Sequence, residues 1–248
     1  MRYSIQISIL LCTLLSYASA QTELTRHAPM LGETAPSFKG TSTRGTIKFP
    51  DDYWDKWKII FSHPADFTAV CSTEILELAG MQDDFEKLNT ALLVLSTDGL
   101  NSHIEWVRSL EGIETNGKPT PEIRFPLVSD ADLSISRKYG MIREDSFSQK
   151  RDIRAVYFIS PDNKVAAVFS YPENIGRNMN EIKRTLIALQ TSEKYNVLTP
   201  ANWTPGADVM IPSPVSLEES RKIEDKKHDD LYMKQWYMWY KKLPQASR

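Results

Sequence analysis

The chain has 248 residues, of which 41% are hydrophobic and 25% charged, and a formal net charge of −2. That length and apolar share are enough to bury a core in one large or two modest domains. The near-neutral charge excludes the basic footprint of a nucleic-acid binder and the cluster of cations that a polybasic membrane anchor needs.

Residues 1–20 read as a signal peptide. Arg2 supplies the positive end, Ile5 to Leu15 is mostly apolar but too short to span a bilayer, and Ala18-Ser19-Ala20 fits the small-x-small cleavage pattern. Cleavage before Gln21 would remove Cys12, leave Cys71 as the one cysteine of residues 21–248, and make the protein secreted. An odd cysteine in an exported chain signals intermolecular pairing or a free reactive thiol.

Ile47 to Phe49 and Lys58 to Ser62 are expected as strands, the second ended by Pro64. A helix follows from Ala69 to Leu88, with Leu78, Met81, Phe85 and Leu88 at helical spacing. Ala91 to Ser96 is a continuous apolar run, as suits a strand buried on both faces. Asn101 to Leu110 is a helix, Gly112 to Pro126 a loop, and Ala131 to Tyr139 a short helix that Gly140 terminates. Ala155 to Ser160 and Val165 to Tyr171 form a hairpin across the turn Pro161 to Lys164, and Asn180 to Glu193 is an amphipathic helix. Strands alternating with helices predict an α/β core, a central mixed sheet with helices on both faces. Past Thr191 four prolines fall between Pro200 and Pro214, followed by a charged run and the aromatic run Leu231 to Tyr240. The aromatic run is expected as a helix packed at a domain or dimer interface, with a membrane-surface or partner-binding tail as the other reading.

Chemistry concentrates in Phe61-Ser-His-Pro-Ala-Asp-Phe-Thr-Ala-Val-Cys71-Ser-Thr-Glu74. A strand, a proline turn, a hydroxyl residue and then a cysteine in the first turn of a helix favour a thiolate, because N–H groups at a helix start are unpaired and carry partial positive charge. This arrangement makes the thiol reactive. The alternative reading is a buried structural cysteine. Thr68 is placed to reach both the sulfur and a substrate oxygen, or to cap the helix. Pro64 shapes the turn and shields the sulfur.

Pro64-x-x-x-Thr68-x-x-Cys71 matches the peroxidatic motif of peroxiredoxins. With its wider context, and with Tyr171-Pro-x-x-x-Gly-Arg-Asn178 and Thr199-Pro-Ala-Asn-Trp203, the chain closely resembles the 1-Cys subfamily from about Ala35 to Ile211. The resemblance implies a thioredoxin-like fold over residues 21–190 and a small C-terminal dimerisation domain over residues 191–248. It implies a thiol peroxidase that reduces hydrogen peroxide and organic hydroperoxides at Cys71 and is regenerated by an external reductant. Arg154 falls where the family places its active-site arginine, a forked cation for the sulfur and the peroxide oxygens. Arg177 matches a second arginine, Glu74 is expected to pair with one of the two, and His63 is expected at the pocket in contact with substrate. Relatives with a lipase activity carry Gly-x-Ser-x-Gly where this chain has Trp54 to Lys58, so that activity is not carried over. His27, His103 and His228 are scattered without ligand spacing, and neither metal nor cofactor is expected. The competing function is a thioredoxin-fold holdase or ligand with an incidental thiol.

Overall fold

The computed structural model describes residues 27–115, 117–142, 151–225 and 230–243. The expected signal peptide, Cys12 and His228 lie outside them. Seven strands form one mixed sheet: β1 (Phe38–Ser42), β2 (Gly45–Phe49), β3 (Trp57–Ser62), β4 (Thr90–Ser96), β7 (Leu127–Ser129), β8 (Arg154–Ile159) and β9 (Val165–Tyr171), in spatial order β2-β1-β7-β4-β3-β8-β9. The pairs β3–β4 and β4–β7 are parallel and the others antiparallel. Two-residue strands β5 (Glu114–Thr115) and β6 (Lys118–Pro119) make a small hairpin inside the expected loop.

Six consecutive buried residues suit β3 to the interior of the sheet, between β4 and β8. Successive side chains of a strand point to opposite faces. Ile59 and Phe61 accordingly join the core beneath α1 (Ala69–Lys87), α2 (Leu100–Glu111) and α4 (Met179–Tyr195), while Ile60 joins the core on the other face with Phe38, Phe49 and Tyr139. Lys58 is also buried. Its ammonium donates to the Ser160 carbonyl at 3.0 Å and to Asn163 Oδ1 at 2.6 Å, pinning the β8–β9 turn.

The helix expected from Ala131 to Tyr139 is shorter, α3 (Ser134–Lys138). Asp130 takes over its start, its carboxylate accepting from the Ile135 and Ser136 N–H groups at 2.9 and 2.7 Å. Gly140 ends it at φ +61°, where a Cβ would lie 2.5 Å from Ala28 Cβ.

Beyond α4 a third core gathers Ala188, Val197, Trp203, Val209 and Leu243. It supports a second sheet, β10-β12-β11, from β10 (Val209–Met210), β11 (Leu231–Gln235) and β12 (Met238–Lys241); α5 (Leu217–Asp225) precedes β11. The aromatic run is therefore a hairpin, not the expected helix. Aromatic side chains lose rotamer freedom in a helix and gain cross-strand partners in a sheet. Tyr232 and Tyr240 are register partners whose rings stack at 5.3 Å, with the Lys234 ammonium 4.5 Å from the Tyr240 ring centre. Among the described residues no helix is long and apolar enough to cross a membrane.

Candidate active site

The end of β3 runs directly into the turn His63 to Thr68 and then α1. Thr68 is the extended N-cap, at φ −103° and ψ 146°, and its carbonyl accepts the first helical bond from the Ser72 N–H at 2.9 Å. Its hydroxyl does not cap the helix but donates to the Ala65 carbonyl at 2.9 Å. The lone pairs of that hydroxyl remain to accept from a substrate O–H.

Cys71, the third residue of α1, is a free thiol with no exposed surface. Arg154, the first residue of β8, directs NH1 at Cys71 Sγ (3.3 Å) and at Glu74 Oε2 (2.8 Å), and its Nε donates to the Glu173 carbonyl at 2.8 Å. Glu74, one helical turn beyond Cys71, is 3% exposed and also holds Arg177. Its Oε1 accepts from the Arg177 backbone N–H at 2.8 Å and from Nε at 2.9 Å, and its Oε2 accepts from NH2 at 2.7 Å. NH1 of Arg177 donates to the Ser62 and Ala155 carbonyls, both at 2.9 Å. Two buried cations against one carboxylate leave a net positive charge beside the sulfur, in a low-dielectric setting where a developing anion is stabilised strongly.

A pocket of about 510 Å³, lined by Thr68, Ala69, Val70, Arg154, Pro172, Glu173 and Asn174, opens at this point. Thr68 and Arg154 face it directly, and Pro64 is buried in the turn behind them. Glu74, Arg177 and His63 stand behind this lining; Arg177 and Glu74 are engaged with each other and with the backbone. His63 is 1% exposed and stacks on Trp106 with ring centres 5.0 Å apart. Burial, reinforced by the neighbouring His103 and Arg177, pushes its imidazole well below the ordinary histidine range and keeps it neutral at pH 7. Its Nε2 is 3.6 Å from Asp66 Oδ1.

Sequence reasoning missed Asp66, His103 and Trp106. His103 and Trp106 are three apart on α2 and share one face of it. The spacing was visible, but only the fold shows that this face meets the peroxidatic turn. Among the described residues no cluster of His, Cys, Asp and Glu could hold a metal ion.

Residues 31–168 match the AhpC/TSA family model, and residues 188–227 match the C-terminal domain of 1-Cys peroxiredoxin. A peroxiredoxin of Methanosarcina mazei is 45% identical over 86% of this chain and 98% of its own length. The chain belongs to the peroxiredoxin family, in its 1-Cys branch. Two solved structures are similar in fold. A yeast mitochondrial 1-Cys peroxiredoxin has a TM-score of 0.75 and 32% identity, covering 86% of this chain and 99% of its own. The peroxiredoxin 6 of Arenicola marina, as a Cys-to-Ser mutant, has a TM-score of 0.76 and 32% identity, covering 87% and 99%. The fold is thioredoxin-like with a small C-terminal domain, and the peroxiredoxin is a thiol-dependent peroxidase that uses a peroxide substrate and an external thiol reductant. The reading as a holdase with an incidental thiol is not favoured.

One expectation is overturned. Curated relatives such as the peroxiredoxins of the archaea Methanosarcina mazei, Nanoarchaeum equitans and Archaeoglobus fulgidus, aligned over nearly their whole length, conflict with a signal peptide and a secreted protein. A catalytic thiol that must be returned to its reduced form is also at odds with an oxidising compartment.

Proposed function

We propose that Cys71 is the peroxidatic residue and that Arg154 and Thr68 complete the reacting centre. The observation that carries this is the Arg154 guanidinium, which lies 3.3 Å from Cys71 Sγ while Arg154 also lines the pocket. The thiolate attacks one peroxide oxygen. The O–O bond breaks as the S–O bond forms, and the second oxygen leaves as water or an alcohol after taking up a proton. Arg154 stabilises charge on the oxygens, and Thr68, already donating to Ala65, accepts from the peroxide O–H. Glu74 and Arg177 act by positioning Arg154, and Pro64 and His63 by shaping the turn. The product is a sulfenic acid. Two equivalents of an external thiol return it to the thiol, giving a disulfide and water. Cys71→Ser, a small change in volume, keeps the fold and abolishes peroxide consumption. Turnover by a folded serine variant, followed by peroxide assay and circular dichroism, would reassign the chemistry.

We also propose that the unit from about residue 191 to 248 mediates self-association. Trp236 is 75% exposed and Tyr237 52%, at the tip of the β11–β12 hairpin, and Met233 beside them is 53% exposed. This apolar tip supports an interface with a second copy. Trp236→Ser with Tyr237→Ser leaves the monomer fold untouched and shifts the light-scattering mass toward monomer. An unchanged mass refutes the reading.

A further inference from the structure

The segment that carries Cys71 is fixed on two sides by separate sets of buried groups. On one side Glu74 is held by Arg154 and Arg177. On the other, the Asp66 N–H donates to Asp98 Oδ2 at 2.8 Å, and Asp66 Oδ2 lies 2.8 Å from His103 Nδ1. His103 has no exposed surface, and its second nitrogen faces the Val128 carbonyl at 3.3 Å. One turn along α2, Trp106 stacks on His63 and donates from Nε1 to Ser72 Oγ at 3.3 Å. A single helix face therefore touches the chain before Cys71, at His63 and Asp66, and just after it, at Ser72.

The turn needs to be held. Phe67, a bulky residue 58% exposed to solvent, sits at φ 54°, in the left-handed region that disfavours such side chains. The turn's two chemical tasks also pull in opposite directions. A peroxide is small enough to approach a buried sulfur through the pocket side that Thr68 and Arg154 line, with little opening of the turn. An external thiol attacking the oxidised sulfur needs that sulfur in the open.

We propose that His103, acting through its hydrogen bond to Asp66, is a positioning residue that holds the Pro64–Thr68 turn closed over Cys71, favouring the peroxide step and restraining the thiol step. This rests on Cys71 being peroxidatic. Failure of the wild type to form a sulfenic acid at Cys71 would remove that basis, whereas the variants below test His103 alone.

His103→Phe keeps an aromatic ring, slightly larger, and removes both nitrogens. His103→Asn keeps a donor where Nδ1 stands. The full chain is mixed with hydrogen peroxide and sulfenic acid formation is timed by quenching with dimedone and intact mass. Separately, preformed sulfenic acid is mixed with glutathione and its loss is timed. His103→Phe is expected to slow the first step by about tenfold, the ratio one buried charge-assisted hydrogen bond supports, and to speed the second by about threefold or more. His103→Asn is expected within about twofold of wild type in both. A residue needed only for packing would slow both steps. Both steps slowed, both unchanged, one changed alone, or His103→Asn matching His103→Phe would each overturn the proposal. If His103→Phe does not fold, Asp66→Asn is measured in the same way. It keeps the side-chain size and removes the charge, and the two steps must again move in opposite directions for the proposal to stand.

Discussion

Replacing Glu74 by Gln tests whether the buried charge cluster holds Arg154 beside Cys71. The two side chains are the same size, so packing is unchanged. Glu74 accepts four hydrogen bonds at 2.7 to 2.9 Å, three from Arg177 and one from Arg154, and the guanidinium side chains are 1% and 2% exposed. Glutamine turns one accepting oxygen into an NH2 that faces guanidinium donors, and the local net charge rises from +1 to +2. Removing one partner of a buried ion pair costs about 3–5 kcal/mol, because the other charge stays buried without compensation. For a domain of this size 1 kcal/mol shifts Tm by about 2–4 °C, so Glu74→Gln should melt about 6–20 °C below wild type by circular dichroism. Arg154 NH1, freed from its carboxylate, also loses its fixed position beside Cys71 Sγ. Sulfenic acid formation, timed well below the melting range, should slow about tenfold, less than the 10²–10³ that follows outright loss of an oxyanion donor. A melt within about 2 °C of wild type together with an unchanged rate would refute the argument that this carboxylate organises the site.

Arg154→Ala should slow sulfenic acid formation by about 10²–10³. Arg154→Lys should recover only part of it, since an ammonium lacks the fork that reaches sulfur, carboxylate and the Glu173 carbonyl together; full recovery with lysine would show that charge alone is needed. Asp152 is 2% exposed, and burial, opposed only in part by Ser136, raises its carboxyl well above the ordinary aspartate range. The folded state therefore binds a proton that the unfolded state releases above about pH 3.9. Stability falls as pH rises from there toward the folded value, with a limiting slope of about 1.4 kcal/mol per pH unit. Asp152→Asn should flatten that decline and raise Tm at pH 7, and an unchanged Tm from pH 5 to 8 in both proteins would contradict it.

Much of the fold was legible in local pattern. The strands β3, β4, β8 and β9 read correctly as largely apolar runs, the first three of them almost wholly buried, β2 read correctly over Ile47 to Phe49, and α1, α2 and α4 carry apolar stripes at helical spacing. β1 was missed because Phe38-Lys-Gly-Thr-Ser42 holds one large apolar residue; its place depends on tertiary contact, with Gly40 so close to β7 that a Cβ would lie 2.7 Å from Val128 Cγ1. The C-terminal hairpin was misread as a helix because aromatic content alone carries no period, and its pairing with β10 lies about thirty residues away in sequence. In the site, Cys71, Thr68 and Pro64 are adjacent in sequence and were found together. Asp66 and His103 were not, because a hydrogen bond spanning 37 residues leaves no local trace.

The register of the sheet explains how distant residues come to serve one sulfur. β3 and β8 are antiparallel, with Phe61 opposite Val156. Counting on, Ser62 meets Ala155, and Arg154 arrives opposite His63, where β3 ends and the peroxidatic turn begins. Ser62 locks that register from the side: its hydroxyl donates to the Ile153 carbonyl at 2.6 Å and accepts from the Ala155 N–H at 3.0 Å. A slip of one residue would send the Arg154 side chain to the opposite face of the sheet, toward Ile60 and Tyr139, and leave Glu74 with one arginine. The serine two residues before Pro64 thus fixes which face of β8 presents its cation to α1.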